Sequence, residues 1–402
     1  MNIEPDFSYE LFSVIHLVLK ENKHTARLIS KTLRKNIQWT TSQKACFSDT
    51  VYDIIRWWRL LWYILNQEPS FQKQDLHKLL LVYQILFGDQ ISQNRSFTDE
   101  KYAIIKKRFN KAQYSRAVRE SVPDWLDAVC EKELGDRWEQ ELHALNKKPV
   151  VAIRTNTIHI TKPDLKNMLA KKGIETQNVD IAPEALVLDK KQNVFTLTEF
   201  QEGLFEVQDP ASQAVSRFLD PKPGMTVVDA CAGEGGKTLH IANLMNNKGV
   251  VIALDTEPWK LTELKRRVKR AGLNNVETRP ITSSKVYKRL NNRCDRLLLD
   301  VPCSGLGVLR RKPQIRWNLQ PDSLKRLHTL QATLLVKYSP ILKLKGRMVY
   351  ASCSILPSEG EQQIKQFLTN QAEKYRLLEE KRFSPSTDGF DGFYMALLER
   401  IL

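Results

Sequence analysis

Between Val51 and Leu65 apolar side chains return every three or four positions, at Val51, Ile54, Ile55, Trp58, Leu61, Trp62 and Leu65. That spacing predicts a helix with one buried face, and it puts Arg56 and Arg59 on the other side. Similar spacing makes the first 120 residues read as a helical domain. Ser96-Phe-Thr-Asp-Glu100 looks like a further helix start, followed by a basic, apolar-spaced run from Lys101 to Lys111. The periodicity assigns Trp57, Trp58 and Trp62 to the core rather than to a stacking platform.

The pattern turns mixed from residue 121 to 205. Pro123 opens a short helix. Val150–Ile160 alternates like a strand, Pro163–Lys172 reads as a helix closed by Gly173, and Ala185–Leu188 as a second strand. Residues 206 to 402 change again. Short apolar runs at Met225–Ala230, Val250–Leu254, Arg296–Leu299 and Arg347–Ala351 alternate with helical segments. One of these opens at Pro258, carries Leu261, Leu264 and Val268 on one face, and ends at Gly272. Strands alternating with helices predict an α/β fold, Rossmann-like and doubly wound, with a mostly parallel sheet. Ligands of such sheets sit beyond the carboxyl ends of the strands. Asp229, Asp255, Asp300 and Cys353 all fall there, which argues for a single site.

Composition changes this picture in one respect. At 402 residues, 42% hydrophobic and 27% charged, the chain can fill cores, and it exceeds the roughly 250–300 residues one core supports. The charge is unusual: 62 Lys+Arg against 46 Asp+Glu, a net +16. That excess favours a polyanion, nucleic acid before an anionic membrane surface, against the plain reading of a merely basic protein. Lys106, Lys107 and Arg108 are then either a solvated face or part of such a contact. The most apolar stretches, Leu60–Leu65 and Leu79–Val82, fall far short of the ~20 residues of a spanning helix. Met1–Asp6 shows no secretory pattern. Cys46, Cys130, Cys231, Cys294, Cys303 and Cys353 form no C-x-x-C pair and no metal-type spacing, so no metal and a cytoplasmic, reduced chain are expected.

Asp229-Ala-Cys-Ala-Gly-Glu-Gly-Gly-Lys-Thr238 is a glycine-rich turn between a strand and a helix. It is not a phosphate loop, because Cys231 stands where the first glycine belongs, nor a dinucleotide fingerprint, because Thr238 replaces the last one. A ligand with a ribose and an amino acid tail but no pyrophosphate suits it, with Asp255 placed to take ribose hydroxyls. S-adenosylmethionine has those parts; a structural turn without ligand is the alternative.

Cysteines are ordinarily small buried hydrophobes, a reading that suits Cys46, Cys130 and Cys294. Cys303 and Cys353 instead follow strands in polar turns, Asp300-Val-Pro-Cys-Ser-Gly-Leu-Gly and Tyr350-Ala-Ser-Cys-Ser. Two thiols fit one chemistry well. A thiolate adding to carbon 6 of cytosine makes carbon 5 nucleophilic enough to take a methyl group, and a base then removes the carbon 5 proton so that the thiol can leave. The thiolate needs nearby positive charge, and Arg310, Arg311 and Lys312 follow Cys303 closely. Asp300 could hold the exocyclic amine and, if protonated, ring nitrogen 3.

The glycine turn, the segment Asp300 to Pro313 and Ala351-Ser-Cys-Ser together resemble the RNA cytosine-5 methyltransferases, nearest to the bacterial enzymes of 16S ribosomal RNA. Val207-Gln-Asp-Pro-Ala-Ser-Gln213 and Asp388-Gly-Phe-Asp-Gly-Phe-Tyr-Met-Ala396 belong to the same likeness, which spans about residues 121 to 400. The resemblance implies Cys353 as nucleophile, Cys303 in product release and Asp300 in orienting and activating the cytosine. It implies a cofactor pocket of Cys231, Ala232, Gly233, Glu234, Gly235, Gly236, Lys237, Asp255, Asp300 and, by the adenine, Thr282 where an acid is common. It gives the segment around Arg154-Thr-Asn156 to an RNA-binding extension, and leaves RNA contact by the helical domain open. Many members have proline where Glu234 stands, and Thr-Cys where Ser352-Cys353 stands. Ribosomal RNA is the expected partner, transfer RNA the runner-up, and a monomer the default. A catalytically silent RNA-binding assembly factor is the competing class. An amino-group methyltransferase is disfavoured, because Asp300-Val-Pro-Cys lacks the Pro-Pro-aromatic turn that holds an amine.

Overall fold

Helices are the only regular structure described before Ala152. The structure, a computed structural model, describes residues 5–88 and 99–402. Residues 1–4, and with them most of the N-terminal segment read for a secretory pattern, lie outside the described residues. So does the start expected at Ser96; the helix there is described from Asp99 to Ala112.

The chain divides into two packed units, Met1–Lys147 with Leu309–Pro321, and Lys148–Val308 with Asp322–Leu402. Helices Asp124–Leu134 and Arg137–Asn146 belong to the first of these units. Segment 309–321 explains part of this. Arg316, with no exposed surface, donates from Nη1 to the carbonyls of Glu120 and Ser121, each at 3.1 Å. Arg310 Nε donates to Ala144 O at 2.8 Å and Trp317 Nε1 to Ile55 O at 2.7 Å. Burial, reinforced by neighbouring Arg56, pushes the Arg316 guanidinium down to about 9.

The predicted apolar face packs as expected. Val51, Ile54, Ile55, Trp58, Leu61 and Trp62 are buried, with Trp57 and Leu65 partly buried against them. The helix is broken at Trp57, however, into Thr41–Arg56 and Trp58–Leu65. Arg56 is not on a solvated side. It is buried, lies 3.6 Å from Asp53 and donates to Arg310 O at 3.0 Å. Arg108 caps the C-terminus of Trp58–Leu65 through the carbonyls of Ile64 and Leu65, whereas Lys106 and Lys107 are exposed.

The second unit holds two sheets. β1 (Ala152–Thr155), β2 (Thr176–Asn178), β3 (Ala185–Leu188) and β4 (Phe205–Val207) form an antiparallel sheet in the order β2-β3-β1-β4. β1 is shorter than its alternating pattern. Asn156 turns the chain by accepting from Ile158 N and by donating to the carbonyls of Gly203 and Ala271, the local side-chain competition that ends strands. β5 (Thr226–Asp229), β6 (Val250–Asp255), β7 (Val276–Pro280), β8 (Cys294–Asp300), β9 (Leu342–Ser352), β10 (Tyr375–Phe383) and β11 (Phe393–Arg400) form the large sheet, in the order β10-β11-β9-β8-β5-β6-β7. β7 through β9 in this order are parallel; β11 runs antiparallel to both β9 and β10. Apolar residues of β5, β6, β8, β9 and β11 fill the cores on its two faces. The winding direction reverses between β5 and β8, the place where such folds open a crevice for ligands. No helix among the described residues is long and apolar enough to cross a membrane.

Candidate active site

Two turns leave the sheet at this switch point, one after β5 and one after β8, with the turns after β6 and β9 beside them. The β5 turn is built by backbone. Gly235 has φ +86°, and a Cβ on it would lie 1.9 Å from Leu264 Cδ1, so only glycine lets helix Gly236–Leu244 begin there against Pro258–Arg270. Cys231, Ala232, Gly233 and Glu234 keep exposed surface, while Gly235 and Lys237 are buried. Asp255, at the end of β6, holds the turn: its Oδ2 accepts from Gly233 N and its Oδ1 from Glu257 N, both at 2.8 Å. Thr282 lies on the exposed turn after β7, next to Ile281, whose N–H donates to Asp255 O at 2.9 Å.

The turn is also clamped from outside. Glu234 O accepts from Arg267 Nη1 at 2.7 Å and Gly236 O from Arg154 Nη1 at 2.8 Å. Arg154 further donates to Gln208, and Arg267 and Arg270 both pair with Glu206. Arg154, Thr155 and Asn156 are all buried. Of these three, Arg154 ties the small sheet to the glycine turn, and Asn156 ties it to the carbonyls of Gly203 and Ala271 and to Asn243.

The β8 and β9 turns carry the cysteines. Cys303 Sγ and Cys353 Sγ stand 3.3 Å apart, and both residues retain exposed surface. The hydrogen bond with Cys353, then burial, pushes the Cys303 thiol well above its usual range. Either sulfur can donate to the other across this contact. Gly307 makes the approach of the turns feasible. Its N–H donates to Cys353 O at 3.0 Å and its carbonyl accepts from Gly392 N at 2.8 Å, where a Cβ would stand 2.1 Å from Gly392 O. The opening and closing motifs meet as well: Asp209 Oδ1 caps its own helix at Ala211 N and accepts from Asp391 N.

One side chain crosses from the glycine turn to the cysteine turns. Lys237 Nζ lies 2.7 Å from Asp300 Oδ2 and 4.9 Å from the centre of the Phe393 ring. Burial works against the Lys237 ammonium, but Asp300, with help from Cys353 and Asp229, outweighs it and raises its pKa. The negative charge of Asp300 and of a Cys353 thiolate thus both favour the charged form of Lys237. Arg310 Nε is bonded to Ala144 O within the helical unit. Asp229 is buried, accepts from Thr238 Oγ1 at 2.7 Å, and is pushed up to about 7 by burial, with Asp300 adding to it. A cavity of about 490 Å³ in the helical unit, lined among others by Trp57, Phe87, Phe109 and His143, contains none of the predicted site residues.

A family model described as 16S rRNA methyltransferase RsmB/F matches residues 216–399, and one described as an RsmF/B-like ferredoxin-like domain matches residues 122–195. A probable ribosomal RNA small subunit methyltransferase B of Synechocystis sp. is 31% identical over 396 residues, covering 89% of this chain and 87% of its own. The chain belongs to the RsmB/F methyltransferase family. The corresponding Bacillus subtilis protein, also described as a probable methyltransferase B, is 30% identical, with 87% and 85% covered. A crystal structure described as a methyltransferase homologue from Pyrococcus horikoshii superposes with a TM-score of 0.64 at 30% identity, over 71% of this chain and 98% of that one.

The family's cofactor is S-adenosylmethionine, and the residues fit it. Gly233 and Gly235 hold left-handed backbone that keeps side chains out of the turn, an acidic group closes β6, and a nine-residue helix begins at the turn, its positive dipole end suited to the cofactor's carboxylate.

Proposed function

We propose that this chain methylates carbon 5 of a cytosine in ribosomal RNA, through a transient bond between Cys353 and carbon 6 of the base. The observation that carries the reading is the pair of sulfurs 3.3 Å apart at adjacent strand ends, with Lys237 paired to Asp300 at the start of one of the two turns. A thiolate is favoured where a fixed cation stands near it, and a neighbouring thiol can donate a hydrogen bond to it.

Asp300 accepts from the exocyclic amine, and Lys237 supplies a donor beside it, drawing electron density from the ring as Cys353 adds. Cysteine turn and base being held together is the larger part of the gain, because a bimolecular addition becomes intramolecular. When bound, S-adenosylmethionine supplies an electrophilic methyl group; the turn Cys231–Lys237 and Asp255 would hold it, with Thr282 beside the adenine. Cys303, as a thiolate, then takes the carbon 5 proton, and the electron pair re-forms the ring double bond and expels Cys353 as its thiolate. The names of the relatives favour 16S RNA, and the net charge of +16 suits any RNA. A cytoplasmic monomer with reduced thiols completes the proposal.

The test pairs two variants on 16S RNA. Cys353→Ala loses methyl transfer, and Cys303→Ala accumulates a denaturant-stable protein–RNA adduct. Normal turnover by Cys353→Ala would overturn the nucleophile. Methyl groups found on a ring position other than carbon 5 would overturn the reaction. Methylation of transfer RNA alone would overturn the substrate.

A further inference from the structure

The two cysteine turns are joined by more than sulfur. Glu359 follows Cys353 in the short helical turn Pro357–Glu359 and has no exposed surface. Its Oε1 accepts from Ser304 N at 2.8 Å and from Gln331 Nε2 at 2.9 Å, and its Oε2 accepts from Ser304 Oγ at 2.5 Å. Ser304 Oγ lies 3.3 Å from Ser354 Oγ, Gln331 Nε2 also donates to Pro302 O at 3.0 Å, and Tyr350 Oη donates to Glu359 O at 2.9 Å.

A fully buried carboxylate whose hydrogen-bond partners are all neutral donors is an expensive arrangement, and an apolar residue would satisfy packing alone. What the carboxylate adds is direction. It fixes both polar groups of Ser304, the residue after Cys303, from a segment that continues the Cys353 turn. We infer that Glu359 is a positioning residue that sets the approach of Cys303 to Cys353. Glu359 acts on the two turns through Ser304, Ser354 and Gln331. The inference rests on the thiol chemistry proposed above, but its geometry can be read without any methyl acceptor.

The ruler is oxidation of the two thiols to a disulfide by diamide in the full-length protein, quantified as the linked peptide by mass spectrometry. Each thiol loses a proton and an electron, the sulfurs join, and diamide is reduced to its hydrazine. Glu359→Ala should slow linking about tenfold or more and lower kcat about 100-fold, with KM for S-adenosylmethionine within about twofold, as expected when reacting groups are displaced by an ångström. Glu359→Gln keeps an acceptor for Ser304 N and turns an amide toward a hydroxyl that can accept, so it should restore both rates to within about threefold of wild type. Wild-type linking by Glu359→Ala overturns the inference. Should that variant not fold, Ser304→Ala and Gln331→Met carry the test, and unchanged linking in both is equally fatal. Slow linking together with methylation at another ring atom would sink the cytosine-5 reading and leave the positioning role standing.

Discussion

The two sides of the site are made in different ways. On the cofactor side, the turn after β5 owes its shape to backbone: left-handed glycines, the Asp255 carboxylate on Gly233 and Glu257 amides, and guanidinium clamps on carbonyls. On the thiol side, the turns after β8 and β9 are held by side chains reaching one another through the interior, with Ser304, Gln331 and Glu359 at the centre. A backbone-built turn is local and tolerates change in the side chains it displays. A side-chain-built pair of turns depends on residues distant in sequence, each of which leaves a buried partner unsatisfied when lost. Lys237 is the one group that belongs to both, rooted in the glycine turn and paired with Asp300.

The comparison can be broken first at that bridge. Lys237→Met should lower kcat by about 10²–10³-fold, the scale of losing a preorganised charged donor, while calorimetry shows S-adenosylmethionine binding little changed. Loss of cofactor binding with an intact chemical step would place Lys237 wholly on the cofactor side. Next, Gly235→Ala puts a methyl group where Leu264 Cδ1 lies 1.9 Å away at φ +86°. Overpacking and backbone strain should cost about 1–3 kcal/mol in urea unfolding and raise KM for the cofactor. Unchanged stability would mean that Leu264 yields freely.

A smaller effect separates clamp from RNA contact. Arg154→Ala should weaken S-adenosylmethionine binding about tenfold, as for one lost charge-assisted hydrogen bond of roughly 1.5 kcal/mol, and leave RNA affinity and its salt slope unchanged. A shallower salt slope would return Arg154 to the RNA surface. The smallest effect concerns Asp229. Its folded-state pKa of about 7 lies above the ordinary aspartate value of 3.8, so the folded state binds the extra proton in that interval. Its contribution is fully present below pH ~4 and is lost as pH rises through ~7. Asp229→Asn, compared with wild type by unfolding at pH 5 and pH 8, should gain relative stability at the higher pH. A difference independent of pH would contradict the raised pKa.

Much of this was legible along the chain. The strands β5, β6, β8 and β9 stand where the apolar runs predicted them, because a parallel strand covered on both faces must be apolar throughout. The glycine turn and both cysteine turns are punctuated by residues whose backbone preferences are local. Strands β7, β10 and β11 were not read. β10, at one edge of the sheet, is mostly exposed between its buried ends Tyr375 and Phe383, and β7, at the other edge, has no buried residue; edge strands show charge where central ones show apolar runs.

What the sequence by itself determined is therefore the doubly wound architecture, the clustering of acids and cysteines at strand ends, and the glycine turn, since each follows from periodicity or from φ/ψ preferences within a few residues. Tertiary structure alone decided the partners of buried charge. It paired Lys237 with Asp300, turned Arg154 to a glycine-turn carbonyl, buried Arg56 beside Asp53, and set Glu359 against Ser304. A charged group is driven to whichever partner the packed interior brings within reach, and that distance is a property of the folded chain that no local pattern encodes.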